Sequence, residues 1–173
     1  MNFKIKHIYD VAIVILPIIS VFISYNLGIR HSLKEYISKT QEDRYHSLYT
    51  PFIQWLFSSF VLETRPSSAP LHDLERLFDL IFTNLKYLDS ISLRWYYQYH
   101  YSYLNLIQHK KDHSIHTNAP KKFDRIFYKL GMAMLLESSS LASELQLPIL
   151  IEPFYEKFST ENTAIFQEEQ TNS

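Results

Sequence analysis

Three histidines, His109, His113 and His116, follow one another at i, i+4 and i+7. On a continuous helix advancing ~100° per residue, they fall within about 60° of one another. Imidazoles grouped in this way can hold zinc, with the Asp112 carboxylate close by. Lys110 and Lys111 oppose that reading, because their charges repel a cation. Residues 110–122, KKDHSIHTNAPKK, also read as a polar connector. With Lys121, Lys122 and Arg125, the connector could bind phosphates or anionic lipid headgroups. The simpler alternative is a solvated loop, so no metal and no cofactor is assigned.

Arg94 and His100 form a second constellation, R-x5-H, on a stretch that reads as helix. The pair resembles the R-x4-6-H motif of the all-helical HEPN ribonucleases, in which Arg and His act together on the RNA backbone. The resemblance covers these two residues. It implies a ribonuclease using Arg94 and His100, completed by a second subunit. Here Trp95 follows Arg94, where that family usually has a polar residue. The alternative is that Arg94 stacks on a tyrosine and His100 packs among the rings. The chain carries no phosphate loop, nucleophile elbow, HExxH or dinucleotide fingerprint.

These residues lie in 91–108, ISLRWYYQYHYSYLNLIQ. Tyr97, Tyr99, Tyr101 and Tyr103 alternate with Gln98, His100 and Ser102, which is a strand period. No second strand is visible to pair with it, and a lone strand has no stable home. The stretch is therefore read as a helix, with Trp95, Tyr99, Ser102, Tyr103 and Leu106 on one face. Trp95, Tyr99 and Tyr103 are the expected aromatic contacts for a protein partner.

The other elements follow from breakers and spacing. Thr50-Pro51 restarts a helix that continues to about Glu63 and is apolar nearly all round. Thr64 to Pro70 is a loop. Leu74, Leu77, Phe78, Ile81, Leu85 and Leu88 mark an amphipathic helix. A last long helix begins near Asn118, carries Pro120 in its first turn and ends near Leu147-Pro148. A short extended piece and a final turn with Phe154, Tyr155 and Phe158 follow. Beyond Ser159 the chain is polar and acidic and is expected to be disordered.

Composition agrees with helices. Glycine occurs only twice in 173 residues, too rarely for a fold built on tight turns. There is no cysteine, which excludes disulfides and thiolate chemistry. The net charge of −1 gives no reason to favour nucleic acid as a partner. Aromatic residues make up 16%, well above what a disordered chain carries.

All of this hangs from Val11 to Ile29, VAIVILPIISVFISYNLGI, which has no charged residue. As a helix it reaches roughly 28 Å, close to the ~30 Å apolar thickness of a bilayer. Pro17 would kink it, and Tyr9 and Tyr25 suit its interfaces. Ser20, Ser24 and Gly28 recur every four residues, a stripe for self-association or for a partner helix. A cleaved signal peptide is the alternative, but the run is long and no A-x-A-like site follows it. Arg30, Lys34, Lys39 and Arg44 outnumber Lys4 and Lys6, which places the following domain in the cytoplasm.

The expected architecture is all-α. A single transmembrane helix, 11–29, lies within an N-terminal anchor, 1–29. A helical bundle of about four helices follows over 30–158, then an acidic tail, 159–173. The expected function is a non-enzymatic interaction or regulatory module at the cell membrane. Its expected partners are the lipid bilayer and a protein or a second copy of itself, and phage exclusion or defence is a plausible setting.

Overall fold

The computed structural model describes the backbone of residues 2–58, 64–149 and 151–171. Within these it describes the side chains of 20, 21, 23–58, 64–149, 151–161 and 163. Among the described residues the chain is helical throughout, with no strand. It divides into two compact units, Met1–Thr40 and Gln41–Ser173.

Helix α1 is Asn2–Arg44, and its residues up to Thr40 belong to the first unit. The described side chains up to Thr40 are exposed, whereas burial begins at Gln41 and Tyr45. The unit boundary therefore falls eleven residues beyond the anchor limit read from sequence, at the point where side chains first find neighbours. Among the described residues no helix is long and apolar enough to cross a membrane. Of the segment read as a span, residues 11–19 and 22 lie outside the described side chains.

In the second unit, α1 passes into a π turn, Tyr45–Tyr49, and then α2, Thr50–Ser58. Sequence places a restart at Thr50-Pro51, but the chain stays helical and widens by one residue. Thr50 donates its N–H to the Tyr45 carbonyl five residues back. Pro51 has no N–H to give, so the turn before it loses a normal donor and opens. Thr50 does not cap, and its buried hydroxyl has no hydrogen-bond partner among the described residues. The expected extension of this helix to Glu63 falls on 59–63, outside the described residues.

A 3-10 turn, Pro66–Ser68, leads to α3, Leu71–Thr83. Leu74, Leu77 and Ile81 are its buried stripe. Helix α4, Ser90–Lys111, starts where Asp89 Oδ1 accepts the Ser92 N–H at 2.7 Å, an N-cap of ordinary chemistry. Helix α5, Ala119–Glu144, has Pro120 in its first turn, as the sequence requires. It stops at a left-handed Gln146, φ 57°, with the Leu147 N–H returning to the Ala142 carbonyl at 2.8 Å.

Helix α6, Glu152–Thr171, runs on past Ser159, through the stretch read from sequence as a disordered tail. Phe154 and Phe158 on its first turns are wholly buried, and that anchorage explains the helix start.

Helix α5 is the centre of the second unit. Helices α4 and α6, the π turn and the 3-10 turn before α3 all pack on it. Its Phe123, Phe127 and Tyr128 meet Tyr99 from α4 and Phe158 from α6, with ring centroids 5.2–5.8 Å apart. Gly131 lets α6 approach, since a Cβ there would overlap the Phe158 ring. The core is thus aromatic, as the composition requires.

Candidate functional site

Helix α4 has two tyrosine-bearing faces. Ser92, Tyr96, Tyr99, Ser102, Tyr103 and Leu106 are buried. Tyr103 stacks on Phe78 of α3, with centroids 4.5 Å apart and planes 11° apart. Tyr99 is fully enclosed and lies 5.6 Å from the Phe123 ring. Burial raises its phenol pKa well above the usual value, with Tyr103 and Tyr96 adding to the effect. Its hydroxyl has no hydrogen-bond partner among the described residues, and neither does that of Tyr96.

This corrects the expected partner contacts. Tyr99 and Tyr103 are core residues, and Trp95 is half-buried with the Lys129 ammonium 5.1 Å above its ring. The shared face read from sequence is real, but it points inward.

The outward face carries Leu93, Tyr97, Tyr101 and Leu104, all strongly exposed. Tyr97 and Tyr101 pack edge to face at 5.2 Å, and their hydroxyls are 3.5 Å apart. Between this face and Leu85 lies an open groove of about 530 Å³, floored by Tyr96 and His100. Sequence periodicity contained this face, since 93, 97, 101 and 104 fall on one side of a helix. The tyrosines on the opposite side masked it.

Arg94 and His100 do not converge. Six residues along a helix separate them by about 9 Å of rise and about 120° of rotation. Arg94 is exposed. His100 is half-buried in ring contacts with Phe78 at 5.4 Å, Tyr96 at 6.2 Å and Tyr101 at 6.0 Å. The packing alternative describes His100.

The histidine trio does not share a helix face, because α4 ends at Lys111. His109 stays on the helix, and His113 lies in the turn with its ring 5.1 Å from that of His109. His116 is left-handed at φ 51°. Their ring nitrogens serve the loop: His109 Nδ1 is 2.9 Å from the Ile115 carbonyl, and His116 Nε2 is 2.9 Å from Gln108 Oε1. Asp112 accepts from the Ser114 N–H and hydroxyl, which lower its pKa. Among the described residues no group of three His, Asp or Glu side chains could hold a metal.

The four lysines around this loop divide. Lys110 donates to the Ala69 carbonyl at 3.1 Å and fastens the end of α4 to the turn before α3. Lys111, Lys121 and Lys122 are exposed. In the first unit, Ser20, Ser24 and Gly28 are exposed on α1, and a Cβ at Gly28 would meet nothing within 4 Å.

Two polar knots escaped the sequence reading. Arg44 donates from Nε and Nη2 to the Tyr87 carbonyl at 3.0 and 2.9 Å, and from Nη2 to Glu137 Oε1 at 2.8 Å. Tyr49 donates to the same carbonyl at 3.4 Å, and burial pushes its pKa up. Buried Asp124 accepts the Ser67 N–H at 2.6 Å and its hydroxyl at 2.9 Å. Burial raises the Asp124 pKa, while the Ser67 hydrogen bonds act the other way. A lone Asp inside an apolar helix stripe is a signal that sequence could have offered for this knot. Both knots join elements distant in sequence.

Fold and site together define an all-helical domain with an exposed apolar stripe along α4. Comparison with protein families, curated proteins and solved structures finds no match to this chain.

Proposed function

We propose that this protein is a single-pass, membrane-anchored helical module that binds another protein chain and catalyses nothing. The anchor is 11–29, a stretch without charge and of bilayer length. The excess of basic residues just after it places the helical domain in the cytoplasm. The exposed Lys111, Lys121 and Lys122 would face anionic headgroups. Phage exclusion or defence is the setting in which such a module would act.

The observation that carries the reading is the outer face of α4. Leu93, Tyr97, Tyr101 and Leu104 remain exposed on one side of this helix and line an open groove with Leu85. Contiguous apolar surface of this kind marks an interaction site, and tyrosine is a favoured anchor there. No observation in a single chain favours the rival ribonuclease, since Arg94 and His100 lie on different faces.

The test places a photo-crosslinking phenylalanine analogue at 97 or 101 in cells. Adducts to a protein should form in the membrane fraction and survive an alkaline wash. Absence of any protein adduct at both positions, or recovery of the full chain without detergent, would overturn the proposal.

A further inference from the structure

We infer that the loop joining α4 to α5 docks on an anionic lipid surface, with Ile115 inserted among the headgroups and exposed lysines on their phosphates. The inference rests on the reading of the chain as membrane-anchored. It names a second contact with the bilayer, separate from the anchor.

The first ground is a charge asymmetry. From Ser90 to Leu136 the chain carries seven Lys and Arg against two Asp and no Glu, although the whole chain is at −1. The α4–α5 hairpin is therefore basic, and the rest of the chain is acidic. Both hairpin carboxylates already accept hydrogen bonds from a serine, Asp112 from Ser114 and Asp124 from Ser67. Four of the seven cations, Lys110, Lys111, Lys121 and Lys122, flank the loop itself. Lys110 is spent on the Ala69 carbonyl, and the other three are exposed. Lysines gathered at one end of a hairpin suit a negatively charged membrane surface.

The second ground is the loop's shape. Residues 111–118 are all exposed, and Ile115 in their middle is 44% exposed. The backbone around it is pinned. Ile115 donates its N–H to the Asp112 carbonyl at 3.1 Å, and its own carbonyl is 2.9 Å from His109 Nδ1. On the far side, His116 Nε2 lies 2.9 Å from Gln108 Oε1. These bonds fix the loop while leaving an isoleucine side chain in solvent between two pairs of lysines. An apolar side chain with cations on both sides gains twice at a bilayer interface, from burial and from charge. A nucleic acid would meet the charge but no platform for its bases, since 111–122 contains no Phe, Tyr or Trp.

The third ground is position. Helix α4 has 22 residues and is about 33 Å long. Arg44, near the point where the chain enters the second unit, holds the Tyr87 carbonyl just before α4 begins. The loop lies at the other end of α4, so its contact with lipid is not a by-product of the anchor.

The chain has no cysteine, so an introduced thiol is the only one present. The full chain is prepared as Ile115→Cys and as Val21→Cys, each labelled with an environment-sensitive fluorophore. Both positions are exposed, so the labels leave the packing intact. Each is reconstituted into vesicles of phosphatidylcholine alone and of phosphatidylcholine with phosphatidylserine, both containing a nitroxide-bearing lipid as quencher. The probe at 115 should shift to the blue and be quenched in the anionic vesicles, and lose both effects in the neutral ones. Adding Lys111→Gln and Lys122→Gln should remove most of the quenching. The probe at 21 should be quenched in both kinds of vesicle. Quenching at 21 without quenching at 115 in anionic vesicles would overturn the loop contact and leave the anchor standing. Equal quenching at 115 in both kinds, or quenching untouched by the lysine substitutions, would overturn the anionic surface as partner. A chain that fails to enter vesicles at all would remove the anchor reading, and this inference with it.

Discussion

Helix α4 sets the same residue type against two solvents. Tyr96, Tyr99 and Tyr103 lie inside the domain, while Tyr97 and Tyr101 lie outside it on the same helix. The inner tyrosines behave as large apolar rings. They stack on Phe78 and Phe123, and the hydroxyls of Tyr96 and Tyr99 lack partners among the described residues. The outer pair keeps its rings together and its hydroxyls within reach of each other and of water. A tyrosine therefore carries no label for core or contact: its ring accepts either place, and its neighbours choose.

The sharpest way to break this comparison is Tyr99→Ala. Removing a fully enclosed ring should cost about 3–5 kcal/mol of unfolding free energy, read by urea denaturation. A loss near zero would mean that the inner face is not packed as described. Tyr99→Phe should act in the opposite direction. It deletes a buried hydroxyl without a partner and should stabilise by about 1 kcal/mol, visible as a raised Tm. Destabilisation instead would reveal a partner for that hydroxyl. The smallest expected effect on stability comes from the outer face. Tyr97→Ala with Tyr101→Ala should change stability by no more than about 0.5 kcal/mol each, read by the same urea denaturation. Equal destabilisation by inner and outer substitutions would erase the distinction between the faces.

Much of the fold was legible because its signals are local. Pro120 in the first turn of α5 and the stripe of α3 each act within a few residues. The scarcity of glycine pointed to helices, and α4 is one despite its strand-like alternation. Its expected face, Trp95, Tyr99, Ser102, Tyr103 and Leu106, is the buried one except for the half-buried Trp95.

The misreadings share a cause. The histidine trio is not among them, since the segment also read as a polar connector, and the chain does turn there around Asp112 and Ser114. The Thr50 restart became a π turn because the missing N–H of Pro51 was absorbed by widening the preceding turn. The first turns of the last helix are held by Phe154 and Phe158 packing on α5, a contact remote in sequence. Arg44 and Asp124 likewise find partners 93 and 57 residues away.

By itself the sequence determined that the chain is helical and where α3 and α5 begin, because prolines, loop breakers and apolar spacing work through the local backbone. Only the tertiary structure decided which side of α4 is core. Both sides offer tyrosine, and the free energy that separates them comes from α3 and α5 closing over one side and leaving the other bare.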